Sequence, residues 1–174
     1  MSSAPREGGV SGLPPDGLPV SGRIHHVATV VRDLDAAVKF HTEVLGLPLE
    51  QIAAVPSQEV RIAFLTAGDS KIELVAPTNS TSGVARFLET KGEGFHHLCL
   101  EVADIDAELQ RLAATGIQLI NAAAVEGVEG PVAFLHPKSC HGILVELIEA
   151  AGFKVAGSPT ELPRLLIEAG YKKA

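Results

Sequence analysis

The sequence contains no tryptophan, a single tyrosine and six phenylalanines in 174 residues. A ligand site built on aromatic stacking therefore has few residues to draw on. Two cysteines, Cys99 and Cys140, are too few for a disulfide framework. No apolar run approaches the ~20 residues a bilayer-spanning helix needs. Nothing forms a basic stripe, and 14 Lys and Arg against 21 Asp and Glu leave a net charge of −7. That balance argues against nucleic acid or an anionic membrane surface as partner, while leaving room for a local pocket for a small anion. Residues 1–22 lack the apolar segment of a secretion signal and the Arg-rich pattern of a transit peptide. Their Gly, Pro and Ser content reads as a flexible tail, and a cytoplasmic location is the default expectation.

What the chain does have is a copy of itself. HHVATVVRDLDAAV (25–38) aligns with HHLCLEVADIDAEL (96–109), so that His25 and His26 fall on His96 and His97 at an offset of 71. Ala63-Phe64-Leu65 falls on Ala133-Phe134-Leu135 at an offset of 70, and Glu73 in KIELV on Glu146 in LVELI at 73. Small drifts of this kind are what loop insertions produce. Two copies are too few for a solenoid, and duplication of one supersecondary unit is the better reading.

Each copy has the same internal order. A strand (24–31; 96–102) ends at an Asp placed to cap a helix. Leu34, Ala37, Val38, His41, Val44 and Leu45 recur at helical spacing before Gly46; Ile105, Leu109, Leu112 and Ala113 do so before Gly116. Three strand-like segments follow: about 48–53, 60–66 and 71–76, then 117–121, 131–136 and 143–149. The unit is βαβββ, twice, with 82–94 as a short helix and connector. Beyond residue 150, Ser158, Pro159 and Glu161 form a capping box with a helix behind it, expected to pack on the body or on a partner subunit.

Candidate chemistry lies in the strands. Alternation puts His96, Leu98, Leu100 and Val102 on one face and His97, Cys99 and Glu101 on the other. His97 is thus the member of its doublet available to a cleft, and His96 takes a structural role. In the first doublet parity does not decide; the repeat assigns His26 as the mate of His97 and leaves His25 structural. Glu73 and Glu146 are single acids in apolar strands, where a lone carboxylate is costly unless paired or metal-bound. Two histidines and two glutamates converging across a pseudo-twofold axis suit a divalent metal with open positions for Lewis-acid work. Glu101 reads as solvated, Cys99 and Cys140 as packing residues, and HPKSCH (136–141) as a loop. Lys138 in that loop is a candidate for a substrate carboxylate or phosphate.

The stretches IHHVATVVRDLDAAVKFHTEVLGL, KIELVAP, GEGFHHLCLEVADIDAEL and PVAFLHPKSCHGILVEL resemble the methylmalonyl-CoA epimerase family of the vicinal-oxygen-chelate (glyoxalase-like) superfamily. The resemblance runs from about Ile24 to Glu149. It implies an α+β fold in which two tandem βαβββ modules (about 23–80 and 94–150) form a cupped mixed sheet around a metal site. Residues 23–150 would be that domain, and 151–174 a C-terminal extension. The implied ligands are His26, Glu73, His97 and Glu146, holding a divalent ion: Co²⁺ first, then Ni²⁺, Mn²⁺, Zn²⁺ or Fe²⁺. The implied reaction on an acyl-CoA partner removes and returns the proton α to the thioester through an enolate, in a homodimer. Some relatives carry a proposed Glu base where this chain has Ile62, which shifts the acid/base role here to Glu146 and Glu73. Lactoylglutathione lyase, extradiol dioxygenase and a ligand-sequestering resistance protein are the alternatives on the same scaffold.

Overall fold

The computed structural model describes residues 23–149. The expected tail over 1–22 and the capping box at Ser158, Pro159 and Glu161 lie outside the described residues. The elements run β1 (Ile24–Val30), α1 (Leu34–Lys39), β2 (Leu49–Val55), β3 (Val60–Ala67), β4 (Ser70–Pro77), α2 (Gly83–Lys91), β5 (Gly94–Glu101), α3 (Ile105–Ala114), β6 (Val125–Glu126), β7 (Pro131–Leu135) and β8 (Leu144–Ile148). All eight strands join one curled mixed sheet, in the order β2-β3-β4-β1-β5-β8-β7-β6. β1 runs parallel to β4 and β5 parallel to β8, while β1 and β5 pair antiparallel and sew the two βαβββ copies together. Parallel neighbours within a copy require the helical crossover, and each copy supplies one.

The helices start where the aspartates and a serine can satisfy the orphan amides of the first turn. Asp33 accepts from the Ala36 amide at 3.0 Å, Asp104 from Ala107 at 2.8 Å and Ser82 from Ala85 at 3.1 Å. α1 covers one outer core of Val31, Leu34, Ala63, Leu65 and Leu74, and α3 covers its counterpart of Val102, Ile105, Leu109, Ala133 and Leu147. The inner face of the first copy carries Ala28, Val30, Ile62, Phe64 and Val75, closed by Leu88 of α2. Leu65 and Leu74 are fully enclosed, so truncating either to Ala costs roughly 2–5 kcal/mol.

Two local readings need correction. The first helix does not hold α geometry to Gly46: after Lys39 it widens into a π turn over Phe40–Val44, with the Leu45 amide donating to the Phe40 carbonyl at 3.2 Å. The wider turn rotates the following side chains off the apolar stripe, which leaves Val44 69% and Leu45 53% exposed. Segment 117–121 is not a regular strand either. Leu119 makes one bridge to Leu135, and the Asn121 side chain accepts from the Phe134 amide, interrupting the ladder. The paired strand of that region is β6, further along.

Candidate metal centre

The strand register explains how four distant residues meet. Ala28 of β1 is flanked by Glu73 on β4 and His97 on β5. In the adjacent row Cys99 of β5 is flanked by His26 on β1 and Glu146 on β8. The rows are repeat equivalents, each with a small residue at its centre. Ala28 and Cys99 are both fully buried, and their small side chains leave room for the larger neighbours to lean together over them. Phe64 and Phe134, paired with Glu73 and Glu146 respectively, wall the ends of the rows. Phe64 meets the His26 ring edge-on at 5.4 Å and Phe134 the His97 ring at 5.8 Å.

The donor atoms converge on one point. His26 Nε2 lies 3.0 Å from His97 Nε2. Glu146 Oε2 lies 3.1 Å from the first and 2.8 Å from the second, and Glu73 Oε2 stands 3.4 Å from both. Ligand atoms held about 2.0–2.2 Å from a common ion stand about 3 Å apart at right angles, so the spacing fits a single cation. Two imidazole nitrogens and two carboxylate oxygens suit a borderline divalent metal. All four residues are buried and line an open cleft whose walls include Val60, Ile62, Val75, Val132 and Ile148.

The two glutamates occupy equivalent places and titrate in opposite directions. Burial drives the Glu73 carboxyl up to about 8; the charge of His97 opposes this, and Glu146 and Glu129 reinforce it. Burial also raises Glu146, but hydrogen bonds from His26 and His97, with their charge, outweigh it and hold that carboxyl at about 2. Burial, then His97, pushes His96 down to about 4, and burial with His26 pushes His25 down. Burial, helped by Glu146 and Glu73, pushes the Cys99 thiol up. Cys99 stands close to His25 and His26 but stays a thiol, which fits its reading as a packing residue.

The parity argument for the doublets fails in an instructive way. Between Ile24 and His26 the β1 side advances two residues while β5 advances one, and His25 is the extra residue. Between Ala28 and Thr29 the surplus lies on β5, and it is His96. Each doublet therefore sits in a β-bulge, where alternation of faces is suspended. His25 and His26 approach Nδ1 to Nδ1 at 2.8 Å, His96 and His97 at 2.9 Å. His96 is not a core residue: it lines the same cleft as His97 and packs edge-on against Phe87 at 5.1 Å.

Other expectations divide. Glu101 is not solvated; it is 1% exposed, with Arg23 across the sheet at 2.6 Å. Lys138 stands exposed on the 3-10 turn Pro137–Ser139 and does not line the cleft of the four donors. Ile62 is buried on the cleft wall and carries no ionisable group there. Sequence reading missed Glu129, whose Oε1 accepts from Lys71 at 2.5 Å and whose Oε2 is buried without a hydrogen-bond partner among the described residues.

A model of the Glyoxalase/Bleomycin resistance protein/Dioxygenase superfamily matches residues 25–134. The mitochondrial methylmalonyl-CoA epimerase of Mus musculus is 40% identical over 131 residues, 74% of either chain. The ethylmalonyl-CoA/methylmalonyl-CoA epimerase of Cereibacter sphaeroides is 40% identical over 129 residues, 72% of this chain and 96% of that one. Among solved structures, a variant of the Streptomyces coelicolor methylmalonyl-CoA epimerase in complex with 2-nitronate-propionyl-CoA superposes with a TM-score of 0.73 at 33% identity, covering 77% of this chain and 98% of that chain.

Proposed function

Because the chain belongs to the Glyoxalase/Bleomycin resistance protein/Dioxygenase superfamily, and within it to the methylmalonyl-CoA epimerases, we propose that it interconverts (2R)- and (2S)-methylmalonyl-CoA. The observation that carries this reading is the convergence of His26, Glu73, His97 and Glu146 at the floor of an apolar cleft. These four would hold a divalent cation, with Co²⁺ the first candidate. That ion supplies Lewis acidity to the thioester and carboxylate oxygens of the substrate. A fourth donor within 3.4 Å of both histidines fits poorly with a two-histidine, one-carboxylate dioxygenase site.

The chain's own residues do the rest. Val60, Ile62 and Val75 on one side and Val132 and Ile148 on the other form apolar walls that exclude water from the α-carbon. With Ile62 unable to carry a proton, Glu73 and Glu146 are the acid/base pair. They come from opposite copies of the repeat, which matches a reaction that takes a proton from one face and returns it to the other.

The proposal extends to a homodimer, supported by the exposed Phe40, Val44, Leu45 and Leu49 beside the edge strand β2. It extends to the cytoplasm, supported by two unpaired cysteines. Among the described residues no helix is long and apolar enough to cross a membrane. Lys138 is proposed for the anionic end of the CoA moiety.

The test is proton exchange at C2. The purified chain, loaded with Co²⁺ and given methylmalonyl-CoA in deuterated buffer, is expected to wash deuterium into C2 and to lose that activity on chelation. A fully metallated chain that exchanges nothing overturns the reading.

A further inference from the structure

Resting on that metal-site reading, we propose that His25 is a positioning residue. It locks the tautomer and tilt of His26, and Glu129, itself held by Lys71, stands behind it. Proton bookkeeping fixes the link between the two histidines. A neutral imidazole that offers Nε2 to a cation carries its proton on Nδ1. Two Nδ1 atoms at 2.8 Å must be one donor and one acceptor, so His26 Nδ1–H donates and His25 Nδ1 accepts. His25 then keeps its proton on Nε2.

That Nε2–H faces Glu129 Oε2 across 3.6 Å. The distance is long for a hydrogen bond, and Glu129 Oε2 is buried without a hydrogen-bond partner among the described residues, so a small shift of either side chain would close the contact. The other oxygen of Glu129 is fixed by the Lys71 ammonium at 2.5 Å, and Lys71 is held in turn by Glu50 at 2.8 Å. The chain Glu50–Lys71–Glu129–His25–His26 therefore runs from two strands of the first copy, through a loop of the second, and back to the candidate metal. Carboxylate-backed histidines of this kind fix the orientation and basicity of a ligand imidazole. Here a second imidazole is interposed, and the bulge at His25 brings the two rings within reach.

The arrangement also assigns a purpose to the bulge. On a regular strand His25 would face away from His26, and the Nδ1–Nδ1 contact could not form. The extra residue makes the contact possible.

Two measurements test this. Metal affinity is read by calorimetry with Mn²⁺ or Co²⁺ on the full chain. His25→Ala is expected to weaken binding roughly ten- to hundredfold. His25→Asn, whose amide oxygen falls near the position of Nδ1 and still accepts, should return affinity to within about threefold, whereas His25→Leu should not. Glu129→Ala should weaken binding by a smaller factor in the same direction. Unchanged affinity in His25→Ala overturns the proposal. Should that variant fail to fold, long-range ¹⁵N NMR of the zinc-loaded wild-type chain decides: His25 protonated on Nε2 supports it, and His25 protonated on Nδ1 overturns it. A wild-type chain that binds no metal would instead sink the underlying site reading, so the two failures stay distinguishable.

Discussion

The two copies of the repeat build matching halves of one site and then support them differently. Row for row, Glu73-Ala28-His97 mirrors Glu146-Cys99-His26, down to the phenylalanine at each end. Beyond those rows the symmetry stops. The position of Lys71, beside His26, is Leu144 beside His97 in the second copy. His25 has Glu129 behind it, whereas among the described residues no carboxylate pairs with His96, which rests against the Phe87 ring. Duplication delivers the four donors in pairs; the surroundings then divide the pairs into unlike members. A reaction that moves a proton across a plane needs that division.

The largest expected effect tests whether the doublets separate as their surroundings say. His97→Ala removes a donor, and metal affinity should fall by more than about a hundredfold, beyond the range for supporting residues. His96→Ala removes only the acceptor for His97 Nδ1–H, with no charged group behind it. Its loss should stay within about tenfold and below that of His25→Ala. Calorimetric titration of the three variants ranks them. Equal losses for His96→Ala and His97→Ala would break the distinction between ligand and support.

The convergence of these four donors was legible in the sequence because symmetry did what parity could not. His97 stood out on strand alternation, but His26 was chosen only by its repeat mate, as were Glu73 and Glu146. The fold followed from the same repeat, since two βαβββ units have few ways to share one sheet. What stayed hidden depends on pairing between distant residues. A bulge is a mismatch between two strands, and β1 meets β5 from 71 residues away, so nothing local to RIHHVATVV reveals it. Glu129 is invisible for the same reason: its partners Lys71 and His25 come from the other copy. Glu101 misled because an acid on a strand looks solvated until the arginine opposite is known. The π turn after Lys39 is a smaller case, in which apolar periodicity continued past the point where the backbone changed pitch.

The contrast between the glutamates has a pH signature of intermediate size. In the metal-free chain Glu73 titrates near 8 against an ordinary value of 4.5. The folded chain thus binds a proton that the unfolded chain does not, and stability falls as pH rises through that window. Glu146 has the opposite sense: its contribution is complete above 4.5 and is lost as pH falls toward 2. His25 and His96, held low, make stability rise with pH until their unfolded forms are fully neutral, about a unit above 6.5. The difference between wild type and Glu73→Gln in denaturant melts of metal-free protein between pH 6.5 and 8 therefore isolates Glu73. The expected loss is roughly 1.5 kcal/mol, absent in Glu73→Gln and retained in Glu146→Gln. A wild-type chain whose stability is flat across that range would deny the two carboxyls their opposite character.

The smallest effect probes the comparison at the far end of the same strands. Val30 and Glu101 are repeat equivalents, both buried on the inner face; Val30 joins the apolar cluster, while Glu101 meets Arg23. Taking away the arginine leaves a carboxylate with 1% exposure and no compensating charge, so Arg23→Ala should lower the melting temperature by roughly a few degrees. Writing the first copy's solution into the second, as Glu101→Val, removes the acid and its desolvation together. Only the carboxylate of this pair is buried, and exchanging a buried acid for an apolar residue of smaller bulk is commonly neutral or better, so this variant should melt at or above the wild-type temperature. Thermal melts of the two variants side by side give the answer. If Glu101→Val proves the more damaging, the pair holds Arg23 for a purpose beyond packing, and the asymmetry at this end of the sheet is functional rather than tolerated.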